Sequence, residues 1–162
     1  MQARTSLPWW PGVVVLVAVS IMAAWVVNEA RPVKLPWWSD FRAEKAAQTQ
    51  RKGFLTVAPA EARAMLVAGA RLFVDAREPA EYEAGHIPGA VSVSAEALLT
   101  GMDSVLPGVE KGRPLLVYCG DLACPKSRDL AQGLKELGFA DIAVMPEGLD
   151  GWRAAGGPVE AK

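Results

Sequence analysis

Hydrophobic and polar positions follow three regimes along the chain. Pro11 to Val27 reads PGVVVLVAVSIMAAWVV, and no charged residue lies between Arg4 and Glu29. An unbroken apolar run of this kind predicts a membrane-crossing helix, at the short end of the usual ~20 residues. Trp9 and Trp10 extend the run on one side and Trp37 and Trp38 follow on the other, as interfacial anchors stand. From residue 28 to 53 the pattern turns polar. Pro32 and Pro36 are followed by FRAEKAAQTQRK, a helix-forming stretch without an apolar face wide enough for a core, which reads as a juxtamembrane spacer. From Phe54 onward, short β-rich apolar runs alternate with helical periodicity.

That alternation predicts strands at Phe54–Val57, Arg71–Asp75, Ala90–Val93, Leu115–Tyr118 and Ile142–Met145. Between them the pattern predicts helices over Pro59–Leu66, Pro79–Ala84, about Ser94–Leu99, from Pro125 through Leu137, and Leu149–Trp152. The fold class is therefore α/β: a mostly parallel central sheet flanked by helices and preceded by one transmembrane helix. The expected organisation is a tail at 1–8, the span at 9–28, a linker at 29–53 and the α/β domain at 54–162.

Two alternatives compete for the span. A secretory signal peptide needs small residues before a cleavage point, and Asn28-Glu29-Ala30 after Val26-Val27 matches that poorly. A core helix would not be bracketed by paired tryptophans. The span implies contact with a lipid bilayer through residues 9–28 and a single-pass membrane protein, as in a bacterial inner membrane. Arg31, Lys34, Arg42 and Lys45 beside the span lean the domain toward the cytoplasm, although a short tail with only Arg4 also suits the reverse. Charge divides unevenly: residues 1–53 carry +4 and residues 54–162 carry -5. An acidic domain without a basic stripe excludes nucleic acid as a partner. Two cysteines and one histidine cannot assemble a four-ligand zinc site, so no metal is expected.

The chemistry concentrates in LLVYCGDLACPKSRDLAQGLKEL, residues 115–137. A buried strand stops at Cys119, and Pro125 suits the first helical position, which puts Cys124 near the N-cap. The only two cysteines thus open and close one loop at a helix start, where amides and the helix dipole favour a thiolate. Two small buried hydrophobes would be the plainer reading, and the strand–loop–helix setting argues against it.

Four features in order give a resemblance to the rhodanese (sulfurtransferase) domain family over about residues 54 to 160. They are VDAREPAEYEAGHIPGAVSV at 74–93, VYC at 117–119, SRDLAQGLKELGF at 127–139 and EGLDGWRAAGGPVE at 147–160. The resemblance implies a small α/β domain in which Cys119 accepts sulfane sulfur as a persulfide and hands it to a nucleophile, with no cofactor. Gly120, Asp121, Leu122, Ala123, Lys126 and Ser127 would line the substrate. Asp75, Arg77 and His86, with Glu83 beside them in sequence, would be structural support, a polar network pinning loops near the site, with a direct acid or base role as the alternative.

The chain departs from the family's usual loop, which runs about five residues from cysteine to an anion-binding arginine. Here the run is CGDLACPKS, and Lys126 stands where arginine is expected, offering charge without the planar fork. Asp121 opposes both thiolate formation and thiosulfate binding. Cys124 is an addition that could resolve a Cys119 persulfide or cycle with it as a disulfide. Three readings follow: a sulfurtransferase or persulfide carrier taking a small sulfur-containing anion or thiol acceptor, a thiol–disulfide protein serving a membrane redox or sulfur-metabolism partner, and a silent docking module.

Overall fold

The computed structural model describes residues 10–32, 34–35, 40–94, 97 and 105–161. The tail at 1–8, Trp9, Trp37 and Trp38, and most of the helix expected at 94–99 lie outside the described residues. Two compact units result, Met1–Ser39 and Asp40–Lys162.

In the first unit, α1 (Trp10–Glu29) is 20 residues long with mean hydropathy 2.2 and none of its apolar window buried. It is long and apolar enough to cross a membrane. Asn28 closes the turn after it: its side chain donates to the Leu35 carbonyl at 3.0 Å and accepts from the Leu35 amide at 2.8 Å.

The second unit opens with α2 (Phe41–Arg51), capped by the Asp40 carboxylate on the amides of Arg42 and Ala43. This is the stretch that the hydropathy pattern reads as spacer. Its apolar face is indeed absent, yet Thr49 is fully buried, its carbonyl accepts from the Phe54 amide, and Gln50 donates to Thr56. Polar bonds to the sheet edge hold it within the unit where apolar area cannot, so the compact unit starts at Asp40, not Phe54.

The remaining elements run β1 (Leu55–Thr56), α3 (Pro59–Val67), β2 (Leu72–Asp75), α4 (Pro79–Ala84), β3 (Val91–Ser92), β4 (Leu115–Tyr118), α5 (Lys126–Glu136), β5 (Ile142–Met145) and α6 (Gly148–Ala154). The sheet order is β1-β5-β4-β2-β3, and every pairing is parallel. Parallel strands covered on both faces read as unbroken apolar runs, and all four residues of LLVY and of IAVM are buried. Side chains then sort by the two-residue period. Leu115 and Val117 join Leu130 and Leu134 of α5 in one core, whereas Leu116 and Tyr118 join Leu149 and Trp152 of α6 in the other.

Topology places the site. The chain moves outward from β2 to β3, then returns to β4 on the other side of β2, so the order reverses between β2 and β4. Ligands in such sheets bind outside the carboxyl ends at that reversal. Tyr118, the last residue of β4, stands opposite Asp75 and Met145, the last residues of β2 and β5. Three loops therefore leave the sheet at one level.

Candidate functional site

Cys119 emerges from β4 at the middle of that edge and is buried. Two backbone bonds hold its stem: the Leu149 amide donates to the Cys119 carbonyl at 2.8 Å and the Asp150 amide to the Gly120 carbonyl at 2.9 Å. Such closeness depends on Gly148, whose φ of +61° and lack of a side chain matter together. A Cβ there would lie 2.5 Å from the Cys119 oxygen and 2.8 Å from Gly120. In the sequence Gly148 is marked only as the first glycine of the EGLDGW motif, with no local sign that it meets the cysteine loop.

Cys119 and Cys124 are joined as a disulfide, with Cα atoms 6.4 Å apart. Cys119 is buried and Cys124 is half-buried, so the bond has an inner and an outer sulfur. Between them the loop folds on Asp121. Its Oδ1 accepts from the amides of Ala123 at 2.7 Å and Cys124 at 3.0 Å. Gly120 and Leu122 are half-buried, whereas Asp121 and Ala123 are exposed.

The helix start differs from expectation. Pro125 is the N-cap rather than the first helical residue, because its carbonyl already accepts from Arg128 and Asp129. Lys126 therefore begins α5, and Ser127, next on the helix, is buried. The Lys126 ammonium is paired with the Glu78 carboxylate, which reaches across from the loop after β2.

Beside the cysteine loop lies the second polar group. Asp75 is fully buried and accepts from the Arg77 backbone amide, Nε and Nη2. Arg77 Nη2 also donates to the Gly85 carbonyl at 2.7 Å, and its stem lies against Gly120. Burial works against the guanidinium charge, but the Asp75 hydrogen bond and charge outweigh it and raise the Arg77 pKa. Tyr118 stands opposite Asp75 in the register of β2 and β4 and accepts from the Ile87 amide; burial first, then the Asp75 charge, pushes its phenol well above the ordinary range. His86 is buried, stacked on Tyr82 at 3.7 Å, with Nδ1 donating to the Tyr82 carbonyl and Nε2 3.3 Å from Glu160. Glu83 is exposed on α4. The geometry thus brings the two cysteines and Asp121 to one loop with Lys126 at the helix start that follows, sets Arg77 with Asp75 beside that loop at Gly120, and leaves His86 bonded to Tyr82 and close to Glu160 instead. Sequence spacing could not have found Tyr118 or Glu78 as members, since their partners lie 43 and 48 residues away.

Comparison with known proteins agrees with this architecture. The model of the rhodanese-like domain matches residues 58–155. The chain belongs to the rhodanese-like domain family. Its rhodanese-like region is 32% identical over 84 residues to thiosulfate sulfurtransferase GlpE of Pseudoalteromonas translucida, covering 52% of this chain and 74% of that one. It is also 32% identical over 93 residues to an HTH-type transcriptional regulator of Mycobacterium tuberculosis, covering 57% of this chain but only 39% of the regulator. Among solved structures, the rhodanese-like domain of an Anabaena protein aligns with a TM-score of 0.57 at 28% identity, covering 66% of this chain and 79% of that one. The rhodanese-like fold thus occurs in proteins described by different activities.

Proposed function

We propose that this rhodanese-like protein is a membrane-anchored sulfur-transfer protein in which Cys119 accepts sulfane sulfur and Cys124 resolves the resulting persulfide. The observation that carries it is the Cys119–Cys124 bond at the carboxyl end of the central strand. The steps balance. The Cys119 thiolate attacks the outer sulfur of a persulfide R–S–SH, forming Cys119–S–SH and releasing R–S⁻. The Cys124 thiolate then attacks Cys119 Sγ, and hydrosulfide leaves as the disulfide forms. An external dithiol resets the pair: it attacks the outer sulfur of Cys124, frees Cys119 as thiolate and departs oxidised. Alpha-helix α1 would hold the domain at a bilayer beside a membrane redox or sulfur-metabolism partner. No organic cofactor or metal enters these steps.

A second reading uses the same bond without sulfane sulfur, as a plain thiol–disulfide couple. It is favoured by the Lys126–Glu78 pair, which takes the loop's cation away from an anionic sulfur donor. Intact mass of the reduced full-length chain in detergent, after exposure to cysteine persulfide, separates the two. Sulfur transfer predicts one added sulfur in Cys124→Ser and none in Cys119→Ser. The redox couple predicts only loss of two hydrogens in the unsubstituted chain, and no sulfur on either variant.

A further inference from the structure

In a rhodanese-type loop the amides after the cysteine are the groups that would receive the charge of an incoming oxyanion. Here they are already engaged. Asp121 Oδ1 accepts from both the Ala123 and Cys124 amides, so a carboxylate of the chain itself sits where a substrate anion would be held. The cation on the same rim is also spent, because Lys126 is paired with Glu78. Arg77, whose stem touches Gly120, is buried and bonded to Asp75 and the Gly85 carbonyl. Three features from three elements therefore act in one direction. Each cancels a positive group that a doubly charged donor needs, and Asp121 adds like charge at close range.

We propose that Asp121 is the specificity-determining residue of this site: with Glu78 it closes the loop to free oxyanion donors such as thiosulfate and selects sulfane sulfur carried on an organic thiol. This rests on the sulfur-transfer reading above and narrows its substrate class. Both donors lead to the same product. Thiosulfate would give the Cys119 persulfide and sulfite, whereas an organic persulfide gives the Cys119 persulfide and a thiol, with no dianion brought into the loop. Only the second leaves the Asp121 carboxylate undisturbed on its two amides.

The test compares rates of sulfur loading on Cys119 from thiosulfate and from cysteine persulfide, read by intact mass on the reduced full-length chain in detergent, with Cys124→Ser as the common background so that the added sulfur stays on Cys119. The quantity of interest is their ratio, which a general loss of loop order would not move in one direction. The Cys124→Ser chain with Asp121 and Glu78 intact should favour the persulfide strongly. Asp121→Ala should raise the thiosulfate-to-persulfide ratio by about tenfold or more, since an ionised group and its hold on two amides are both removed. Asp121→Asn keeps an oxygen on those amides but loses the charge, and should fall between. Glu78→Gln, which removes the carboxylate charge paired with Lys126, should raise the ratio as well. Should the alanine variant fail to fold, the asparagine and glutamine variants carry the same comparison. Equal loading from both donors in the Cys124→Ser chain with Asp121 and Glu78 intact, or a ratio that none of the further substitutions raises, overturns the selectivity while leaving sulfur transfer in place. Loading of Cys119 by neither donor in any form overturns both.

Discussion

At the carboxyl ends of two neighbouring strands the molecule keeps two polar clusters of opposite character. The β2 cluster, Asp75 with Arg77 and Tyr118, is buried, and every ionised group has a partner within it. The β4 cluster, Asp121 with the two cysteines and Lys126, is partly exposed, and its strongest link is a bond between sulfurs that a thiol can open. A buried charge pair is costly to disturb, so it serves to hold loops in register; an exposed loop closed by a labile bond can change state without unfolding the sheet. Ionisable residues at the same sheet edge thus divide by burial into scaffold and chemistry.

Substitutions can break or sharpen that division. Arg77→Met should be the most damaging, because Asp75 is left charged and without its guanidinium partner at zero exposure; a loss of about 3–5 kcal/mol in urea unfolding is expected. Asp121→Ala, judged by the same assay, should cost far less, and comparable losses would erase the distinction. Gly148→Ala comes next. The positive φ and the backbone oxygen 2.5 Å from the new methyl group should together cost about 2–4 kcal/mol. Because that oxygen belongs to Cys119, the reduction rate of the disulfide should change too.

Tyr118→Phe leaves the Ile87 amide without its acceptor, for a loss of about 1–2 kcal/mol. It also has a pH signature. A phenol whose pKa is raised by folding stays neutral in the native state while the unfolded chain ionises. Its contribution is therefore full below ~10 and is lost as pH climbs beyond that value. Alkaline destabilisation should be shallower in the phenylalanine variant. The smallest effect is Lys126→Met, under about 1 kcal/mol, since its pair with Glu78 is one-third to nearly half exposed.

How much of this was legible in the chain depends on whether the deciding interaction is local. Ile142–Met145 and Pro79–Ala84 were legible to the residue, the first as an unbroken apolar run and the second between proline and glycine. The cysteine loop was legible as a strand–loop–helix turn, because strand end, loop and helix start are read from one stretch. Pro125 was placed one position too far into the helix, as its N1 preference does not reveal that its own carbonyl starts the ladder. Alpha-helix α2 gave no apolar signal because Thr49 and Gln50 hold it by polar bonds. The Asp121 turn is local but its consequence is not: only the parallel register brings Glu78 to Lys126 and Gly148 to Cys119.

The most direct measurement is a single turnover of the reduced full-length chain with one equivalent of cysteine persulfide, following hydrosulfide release and Cys119–Cys124 disulfide together. Resolution by Cys124 predicts one hydrosulfide for each disulfide formed, and in Cys124→Ser no hydrosulfide, with the added sulfur retained on Cys119. Disulfide without hydrosulfide, or hydrosulfide released as fast by Cys124→Ser, would contradict it.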